Sequence, residues 1–478
     1  MRIFSKLLKK NKSKYLWDKY YQKEKRNIEV PNISIYEYLK ASSDNYRHLS
    51  AINYFNNKIT FNTLLNKIDL CARALKSQGI REGDVVTICM ANTPEAVISF
   101  YAVNKIGAIA NMLHPLSAEQ EIKTSLNSTK SVMLITIDLS YEKIKNIIDE
   151  TSIYKTVIVS ARDSMPALLG LGYYLTQGRK IITPQKSEKN IFWDDFLERG
   201  KKYTGNVLVR TTKDQAAVIL HSGGTTGTPK NIVLSNGNIT ALIKQGRIVF
   251  PHMNQDDSIL AILPIFHCFG LVVCILAPLC YGSCVVLIPQ FDAKRFDKLL
   301  TKYNPTILAG VPTLYEALMH NKHMNKVDLS SVKYIICGGD TLSVAKNKQL
   351  NKFFANHNCS AHVIQGYGMT ETTGPVSFGA LGSDKLGSVG IPLPGNNIKI
   401  MDINSNEEVP IGEVGQICIS GPTVMMGYLD NEKETNEVMH IEHDGNVWVY
   451  TGDLGYMDED GVIFFVQRKK KNVNSIGL

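Results

Sequence analysis

A glycine- and threonine-rich loop at residues 221–230 has the composition of a phosphate-binding site. It reads His-Ser-Gly-Gly-Thr-Thr-Gly-Thr-Pro-Lys and follows an apolar segment, Ala216–Leu220, that is typical of a buried strand. Glycines let backbone N–H groups converge on an anion, while hydroxyl groups and Lys230 add donors and positive charge suited to polyphosphate. The loop is not a Walker A motif, because no Gly-Lys-Ser/Thr triplet follows a Gly-x-x-x-x segment. Taken alone it could be a flexible turn, but its donors favour phosphate binding by these residues: Ser222, Gly223, Gly224, Thr225, Thr226, Gly227 and Lys230.

Further motifs follow this loop in a fixed order. They are Pro264–Gly270, Gly338–Leu342, Gln365–Glu371, Tyr450–Asp453 and the single residue Arg468. Together with the loop, they resemble the signature motifs of the adenylate-forming superfamily, which includes acyl-CoA synthetases, adenylation domains of nonribosomal peptide synthetases and firefly-luciferase-like enzymes. The resemblance covers about residues 30–478 and is strongest to the acyl-CoA synthetases, or fatty-acid–CoA ligases.

The resemblance implies a site for Mg²⁺ and ATP. Thr370 would contact the phosphate near the reacting phosphorus, and Glu371 would bind Mg²⁺, which prefers carboxylate and phosphate oxygens. Tyr367 would lie on the adenine, while Asp453 would accept hydrogen bonds from the ribose and Arg468 would hold the sugar or its phosphate. Further nucleotide contacts are expected from the motif glycines Gly338, Gly339, Gly366 and Gly368. The residues expected to act in catalysis are Lys230, His267, Thr370 and Glu371.

Three of these residues have a plainer structural interpretation when each is taken alone. Glu371 would be a helix-start carboxylate, Asp453 a turn residue and His267 a hydrogen-bonded core histidine. The ordered set of motifs favours the functional interpretation. His267 also bears on the substrate: family members that activate α-amino acids carry an aspartate in this segment, and an unpaired ammonium would be costly to bury. We therefore expect a fatty or aryl acid.

The expected reaction has two steps. The carboxylate of the acid attacks the α-phosphorus of ATP to give acyl-adenylate and pyrophosphate, and the thiol of coenzyme A (CoA) then displaces AMP. Two alternatives stay open: an acyl carrier protein accepts the acyl group in place of CoA, or the chain is a nucleotide-binding remnant without catalysis. The small molecules expected to bind are a carboxylic acid, ATP, Mg²⁺ and CoA.

The sequence departs from the family pattern in two places. Asn231 follows Lys230 where the family usually has glycine. The chain ends at Leu478, shortly after Lys470, which matches the hinge pivot of the family. In the family a C-terminal domain with a further adenylation lysine follows the hinge, and we expect this domain to be missing here. Without it, we expect the chain to make little acyl-CoA. The expected organisation is a basic leader at 1–27, a large adenylation domain at 28–467 and a hinge and stub at 468–478.

The elements that must position these motifs alternate between strands and helices. Short apolar segments separated by glycine and proline predict parallel sheets covered by helices, and hence an α/β fold. The uncharged stretch Ile259–Pro289 is long enough to span a bilayer. Its prolines and glycines interrupt it, however, and favour a strand, a helix at about Gly270–Tyr281 and a second strand. The expected parallel strands are Val85–Met90, Val132–Ile137, Thr156–Val159, Ala216–Leu220, Ser258–Leu263, Ser283–Ile288, Thr306–Ala309 and Tyr334–Cys337. A small antiparallel section is expected near the C-terminal end, at Asn397–Met401, Gly415–Ile419 and Val462–Val466.

Composition narrows the class of protein. The 478 residues are 44% hydrophobic and 20% charged, which suits a large folded core. The net charge is +9, of which residues 1–26 hold +8, so the body lacks the charge of a nucleic-acid-binding domain. The leader could contact an anionic membrane surface, although a solvated or locally docked arm is favoured. No secretory signal is visible, and the 9 scattered cysteines suit reduced core thiols, so we expect a cytoplasmic protein with at most peripheral membrane contact.

Overall fold

The computed structural model describes residues 15–181, 185–222, 230–405, 407–443 and 445–469. Its strands, numbered in chain order, are β1 Ser50–Tyr54, β2 Asn57–Thr60, β3 Val85–Cys89, β4 Ile109–Leu113, β5 Met133–Ile137, β6 Lys155–Val159, β7 Asn190–Phe192, β8 Ala216–Ser222, β9 Lys230–Ser235, β10 Ser258–Ala261, β11 Cys284–Leu287, β12 Ile307–Gly310, β13 Tyr334–Cys337, β14 Val363–Met369, β15 Gly374–Phe378, β16 Ile391–Pro392, β17 Asn397–Met401, β18 Gly415–Ser420, β19 Gly427–Tyr428, β20 Met439–Ile441, β21 Val447–Met457 and β22 Ile463–Arg468. Its α-helices are α1 Ile35–Ser42, α2 Phe61–Ser77, α3 Pro94–Lys105, α4 Glu119–Ser128, α5 Asp138–Ile144, α6 Ala167–Thr176, α7 Trp193–Lys202, α8 Asn236–Val249, α9 Ala277–Tyr281, α10 Phe296–Tyr303, α11 Pro312–Met319, α12 Val344–Asn356 and α13 Glu432–Val438.

Two large sheets are parallel over most of their width. One has the strand order β19-β9-β8-β4-β3-β5-β6-β7, in which the strands from β8 to β7 are parallel. The other has the order β16-β15-β14-β13-β12-β10-β11-β1-β2, with parallel pairing from β14 to β1. Parallel strands are short, apolar and covered on both faces, which is the pattern seen in the sequence. The predicted α/β class is confirmed, and the expected strands lie within two residues of their predicted bounds.

The third sheet forms the antiparallel section near the C-terminal end. Strands β17, β18, β21 and β20 pair in that order, and β22 pairs with β21. The long strand β21 was not predicted, because its centre, Thr451-Gly-Asp453, has turn composition. The chain bulges there instead of turning: the register with β18 shifts, and Gly452 has a φ of 73°.

The most apolar stretch of the sequence folds as predicted into strand, helix and strand. Between β10 and β11 the chain forms a π-helix, Phe269–Leu276, that continues into α9. A π-helix is uncommon and often accompanies a functional site, and this one begins two residues after His267. The long helices needed to cross a membrane are not found in the described ranges.

Residues 15–27, part of the predicted leader, dock on the antiparallel section. Trp17 and Tyr21 are buried in the cluster that holds Val462 and Ile463. The Tyr21 hydroxyl donates a hydrogen bond to the Pro392 carbonyl at 2.8 Å. Residues 1–14 lie outside the described residues. The docked part therefore contributes apolar packing as well as charge.

Asn92 ties the two large sheets together. It lies just after β3 and is only 3% exposed. Its amide nitrogen donates to the carbonyls of Ala261 (2.8 Å) and Leu263 (2.9 Å), and its amide oxygen accepts from the Ile265 N–H at 2.8 Å. These partners lie at the end of β10 of the other sheet or just after it, in the segment that leads to His267. One side chain thus fixes the start of the predicted Pro264–Gly270 motif.

We expect Asn92→Ala to lower the free energy of unfolding by about 3 kcal/mol, because three buried backbone groups lose their partners at about 1 kcal/mol or more each. Chemical denaturation would measure the change. The matched control is Asn127→Ala, since Asn127 is exposed and makes one hydrogen bond to the Glu150 carbonyl. Equal stability of the two variants would contradict the role given to Asn92.

Candidate active site

A cavity of about 1100 Å³ opens where the three sheets meet. The cavity brings together eleven of the predicted site residues: Ser222, Lys230, His267, Gly338, Gly339, Gly366, Tyr367, Gly368, Thr370, Glu371 and Arg468. Asp453 lies beside this lining, bonded to Tyr367. The remaining predicted residues lie outside the described residues: Gly223, Gly224, Thr225, Thr226, Gly227 and Lys470.

The ends of the predicted phosphate loop are held in register at the cavity. Strand β8 ends at Ser222 and β9 begins at Lys230, and these two residues pair directly in an antiparallel ladder. The local sequence explains both strands, because each contains a run of apolar residues that is buried in the sheet. Ser222 and Lys230 thus bracket the predicted loop at the cavity wall.

Tyr428 connects the predicted cation with the predicted metal ligand. Its hydroxyl donates to Oε1 of Glu371 at 3.0 Å, and the Lys230 Nζ lies 4.6 Å from the centroid of its ring. Burial and, next, the charge of Glu371 raise the pKa of Tyr428 above its ordinary value, so it stays a hydrogen-bond donor. Tyr428 was not predicted from the sequence, because a two-residue strand such as β19 leaves no periodic signal.

Lys230 also forms an ion pair that the sequence did not predict. Its Nζ lies 3.0 Å from Oε2 of Glu434, which is carried by α13. Both side chains are partly buried. A bound phosphate would therefore compete with Glu434 for the lysine.

Glu371 has the chemistry of a single carboxylate ligand. It is buried in a short 3₁₀-helix, Thr370–Thr372, immediately after β14. Mg²⁺ is commonly held by one or two carboxylates together with substrate phosphates. No group of three or more His, Cys, Asp or Glu side chains in the described part of the chain is arranged to hold a metal. The residues therefore fit a metal held jointly by Glu371 and a phosphate-bearing substrate.

Tyr367, Asp453 and Arg468 form a second polar unit at the cavity. The Tyr367 hydroxyl donates to Oδ2 of Asp453 at 2.9 Å, and Nε of Arg468 lies 3.7 Å from its Oδ1. Asp453 and Arg468 are direct partners in the β21–β22 ladder, which explains their proximity. Burial raises the pKa of Asp453, while Tyr367 and then Arg468 oppose that shift. The hydroxyl contact fixes the Tyr367 ring in the cavity wall.

Two motif glycines are required by the backbone itself. A Cβ on Gly368 would lie 1.9 Å from the Gly374 carbonyl oxygen, because β14 and β15 approach closely there. Gly339 has a φ of 79°, which favours glycine over other residues. Both positions thus have a packing or conformational reason for glycine that is independent of any nucleotide.

His267 lies at the wall of the cavity, with its ring 4.9 Å from that of Phe266. Surrounding protein atoms desolvate the imidazole and lower its pKa below the usual value, and the nearby His114 adds to that effect. The ring of His114, just after β4, lies 4.3 Å from that of Phe266. At neutral pH, this wall presents neutral imidazole and apolar surface.

His221 lies in β8, directly before Ser222, and takes part in a hydrogen-bond network. Burial lowers its pKa to about 4, so it is neutral at pH 7. Its Nε2 lies 2.7 Å from Oδ1 of Asn111, whose amide nitrogen donates to the Thr87 hydroxyl at 2.8 Å. Since the Asn111 oxygen accepts, Nε2 of His221 donates. This buried network was not predicted, because its members are isolated polar residues on separate strands.

Comparison with known proteins gives a consistent result. The profile of the AMP-binding enzyme family matches residues 39–429. A long-chain-fatty-acid–CoA ligase of Bacillus subtilis (strain 168) is 30% identical over 447 residues, which are 93% of this chain and 78% of that protein. 4-Coumarate–CoA ligase 3 of Arabidopsis thaliana is 30% identical over 416 residues, or 85% of this chain and 68% of that protein.

A solved structure shows the same fold. The crystal structure of a long-chain-fatty-acid–CoA ligase from Archaeoglobus fulgidus superposes with a TM-score of 0.79 at 22% sequence identity, covering 92% of this chain and 85% of that one.

We expect Glu434→Gln to tighten the binding of Mg·ATP by about one and a half to fivefold, because it frees Lys230 from a partly exposed ion pair worth about 0.2–1 kcal/mol. Isothermal titration would measure the dissociation constant. Lys230→Gln is the matched control: Glu434→Gln in that background should have no effect on affinity. Weaker ATP binding by the single Glu434→Gln variant would contradict competition for the lysine.

Proposed function

We propose that this chain, which belongs to the AMP-binding enzyme family of adenylate-forming enzymes, activates a carboxylic acid with ATP and transfers the acyl group to CoA. The proposal depends mainly on one observation: Tyr428 contacts both Lys230, a cation that could bind phosphate, and Glu371, a buried carboxylate, and all three line the same cavity. The compared CoA ligases support the same reaction class.

The residues would solve the main electrostatic difficulty of the reaction. A carboxylate and a triphosphate repel each other, so positive charge must be placed where negative charge develops. Lys230 would exchange Glu434 for phosphate oxygens, and Thr370 would contact the phosphate near the reacting phosphorus. Glu371, with those oxygens, would hold Mg²⁺, which supplies further positive charge to the departing pyrophosphate.

The nucleotide's sugar would be held by the second polar unit. Asp453 would accept hydrogen bonds from the ribose hydroxyls, and the exposed Arg468 would contact the sugar or its phosphate. Tyr367, fixed by its bond to Asp453, would offer its ring to the adenine. Gly338, Gly339, Gly366 and Gly368 would let the nucleotide approach the backbone.

The acid is proposed to be fatty or aryl. The cavity wall beside His267 carries apolar side chains, among them Leu263, Phe269, Val311 and Phe378. The Pro264–Gly270 segment has no acidic residue to pair with an ammonium group, and the lowered pKa of His267 leaves it neutral at neutral pH. An amino acid would therefore leave a charge unpaired.

The test is a screen of fatty, aryl and amino acids for ATP-dependent pyrophosphate release and acyl-CoA formation by the protein that contains this chain. We expect release with fatty or aryl acids, and we expect Glu371→Gln to raise the Mg²⁺ concentration needed for half-maximal rate by about tenfold or more, because a charged ligand becomes neutral. Glu413→Gln, at an exposed turn, is the control. No release with any acid would contradict the function, and an unchanged Mg²⁺ dependence would contradict the role of Glu371.

We expect Asp453→Ala to weaken ATP binding by about 1.5–3 kcal/mol, the range for a lost charge-assisted hydrogen bond. The variant and its parent would be titrated with both ATP and 2′,3′-dideoxy-ATP, forming a double-mutant cycle. Loss of the ribose hydroxyls should weaken binding to the parent and have no effect on the variant. An equal loss in both proteins would show that Asp453 does not contact the ribose.

A further inference from the structure

Helix α6 presents its apolar side to solvent, which reverses the usual pattern. Leu168, Leu171 and Leu175 follow the i, i+3, i+7 spacing of one helical face, and they are 87%, 55% and 48% exposed. Leu169 and Tyr174 are also exposed at the margins of this face. In a surface helix, an apolar stripe normally faces the core. Here the stripe lies on the exposed side of the helix.

The opposite side of α6 is the one that packs on the protein. Gly170 is buried, and a Cβ placed there would lie 3.7 Å from Cβ of Arg162 and 3.9 Å from Cβ of Met165. A Cβ placed on Gly172, on the outer face, would have no neighbour within 4 Å. The orientation of the helix is therefore fixed by contact on one side, and its leucines point outward.

Further exposed leucines lie along the same edge of the sheet. Leu116 follows β4 by three residues, Leu139 follows β5 by two, and α6 follows β6. These strands are parallel, so their carboxyl ends meet at one edge. Strands are about 4.8 Å apart, so the carboxyl ends of β4 and β6 lie roughly 14 Å apart across the order β4-β3-β5-β6. We call Leu116, Leu139 and the outer face of α6, which all follow strands of this edge, the leucine rim.

The leucine rim is accompanied by cations. Arg162 precedes α6, and Arg179 and Lys180 follow it in a 3₁₀-helix. All three are exposed, and both guanidinium groups lie near the Tyr174 ring, at 4.9 Å and 6.0 Å from its centroid. Leucine and tyrosine beside arginine and lysine are the composition of helices that lie in the interface of an anionic membrane.

We propose that the leucine rim docks on the surface of an anionic phospholipid bilayer. The leucines would enter the headgroup and acyl boundary, and Arg162, Arg179 and Lys180 would contact lipid phosphates. A second copy of this chain fits the leucine rim less well than a membrane does. A two-fold contact through α6 would bring the same cations of both copies together, and they would repel each other. An anionic lipid surface offers acyl chains to the leucines and phosphates to the cations at the same time.

Docking would orient the cavity toward the membrane. Ser222 ends β8, which is parallel to β4 and belongs to the same sheet, so the predicted phosphate loop begins at the edge that carries the rim. His114 lies two residues before Leu116, and its ring contacts Phe266 of the Pro264–Gly270 motif. A membrane-partitioned apolar substrate would therefore be presented on the side where the cavity lies. The docking itself does not depend on which acid the protein activates.

Flotation of the protein with vesicles tests this proposal. Vesicles of phosphatidylcholine mixed with phosphatidylglycerol are expected to bind the parent more strongly than vesicles of phosphatidylcholine alone. Leu168→Ser with Leu171→Ser should lower the partition coefficient about a hundredfold, at about tenfold per leucine. Arg179→Gln with Lys180→Gln should lower binding to the anionic vesicles by about tenfold or more, and have less effect on the neutral ones.

The matched control is Ile411→Ser with Val414→Ser, which removes two exposed apolar side chains from the antiparallel section and should bind as the parent does. The leader is the same in every variant, so it cannot produce a difference among them. Equal thermal unfolding midpoints would show that each variant is folded. Failure of the parent to bind anionic vesicles, or equal binding by Leu168→Ser/Leu171→Ser, would overturn the proposal. So would a vesicle-free dimer that this double variant converts to monomers.

Discussion

The arrangement of the site depends on holding a buried carboxylate near a lysine while each of the two makes its own separate contacts. Glu371 is satisfied by the Tyr428 hydroxyl, and Lys230 lies over the ring of the same tyrosine while pairing with Glu434. An unpartnered carboxylate at this depth would be expensive to bury. The two-residue strand β19 is therefore important for the site, because its pairing with β9 places Tyr428 between the two charges.

The sequence predicted those parts of the structure that are encoded locally. Apolar segments between breakers located the strands of both parallel sheets, and the ordered motifs located the lining of the cavity. Tyr428, Glu434 and Asn92 were missed, although each contacts a predicted residue or its segment. Their roles arise from partners far away in the chain, and no local pattern distinguishes such a residue from an ordinary surface or core position.

Strand β21 shows how local composition can point to the wrong structure. Thr451-Gly-Asp453 has the residues of a turn, yet the ladder continues on both sides of a bulge. The pairing with β18 and β22 outweighs the local preference, as tertiary context commonly does for strands. The bulge has a chemical result: Asp453 meets both Tyr367 from another sheet and Arg468 from the adjacent strand.

The docked segment at residues 15–27 has a consequence for how the chain acquires its structure. Lys19 pairs with Asp460, 441 positions further along the chain, and Trp17 packs in a cluster with Val462 and Ile463. Contacts between such distant residues form slowly, because a long loop must close before they stabilise anything. During synthesis residues 15–27 emerge long before these partners are made. The apolar side chains of Trp17 and Tyr21 therefore stay without these partners until translation has passed Ile463, so a segment made early reaches its final place late.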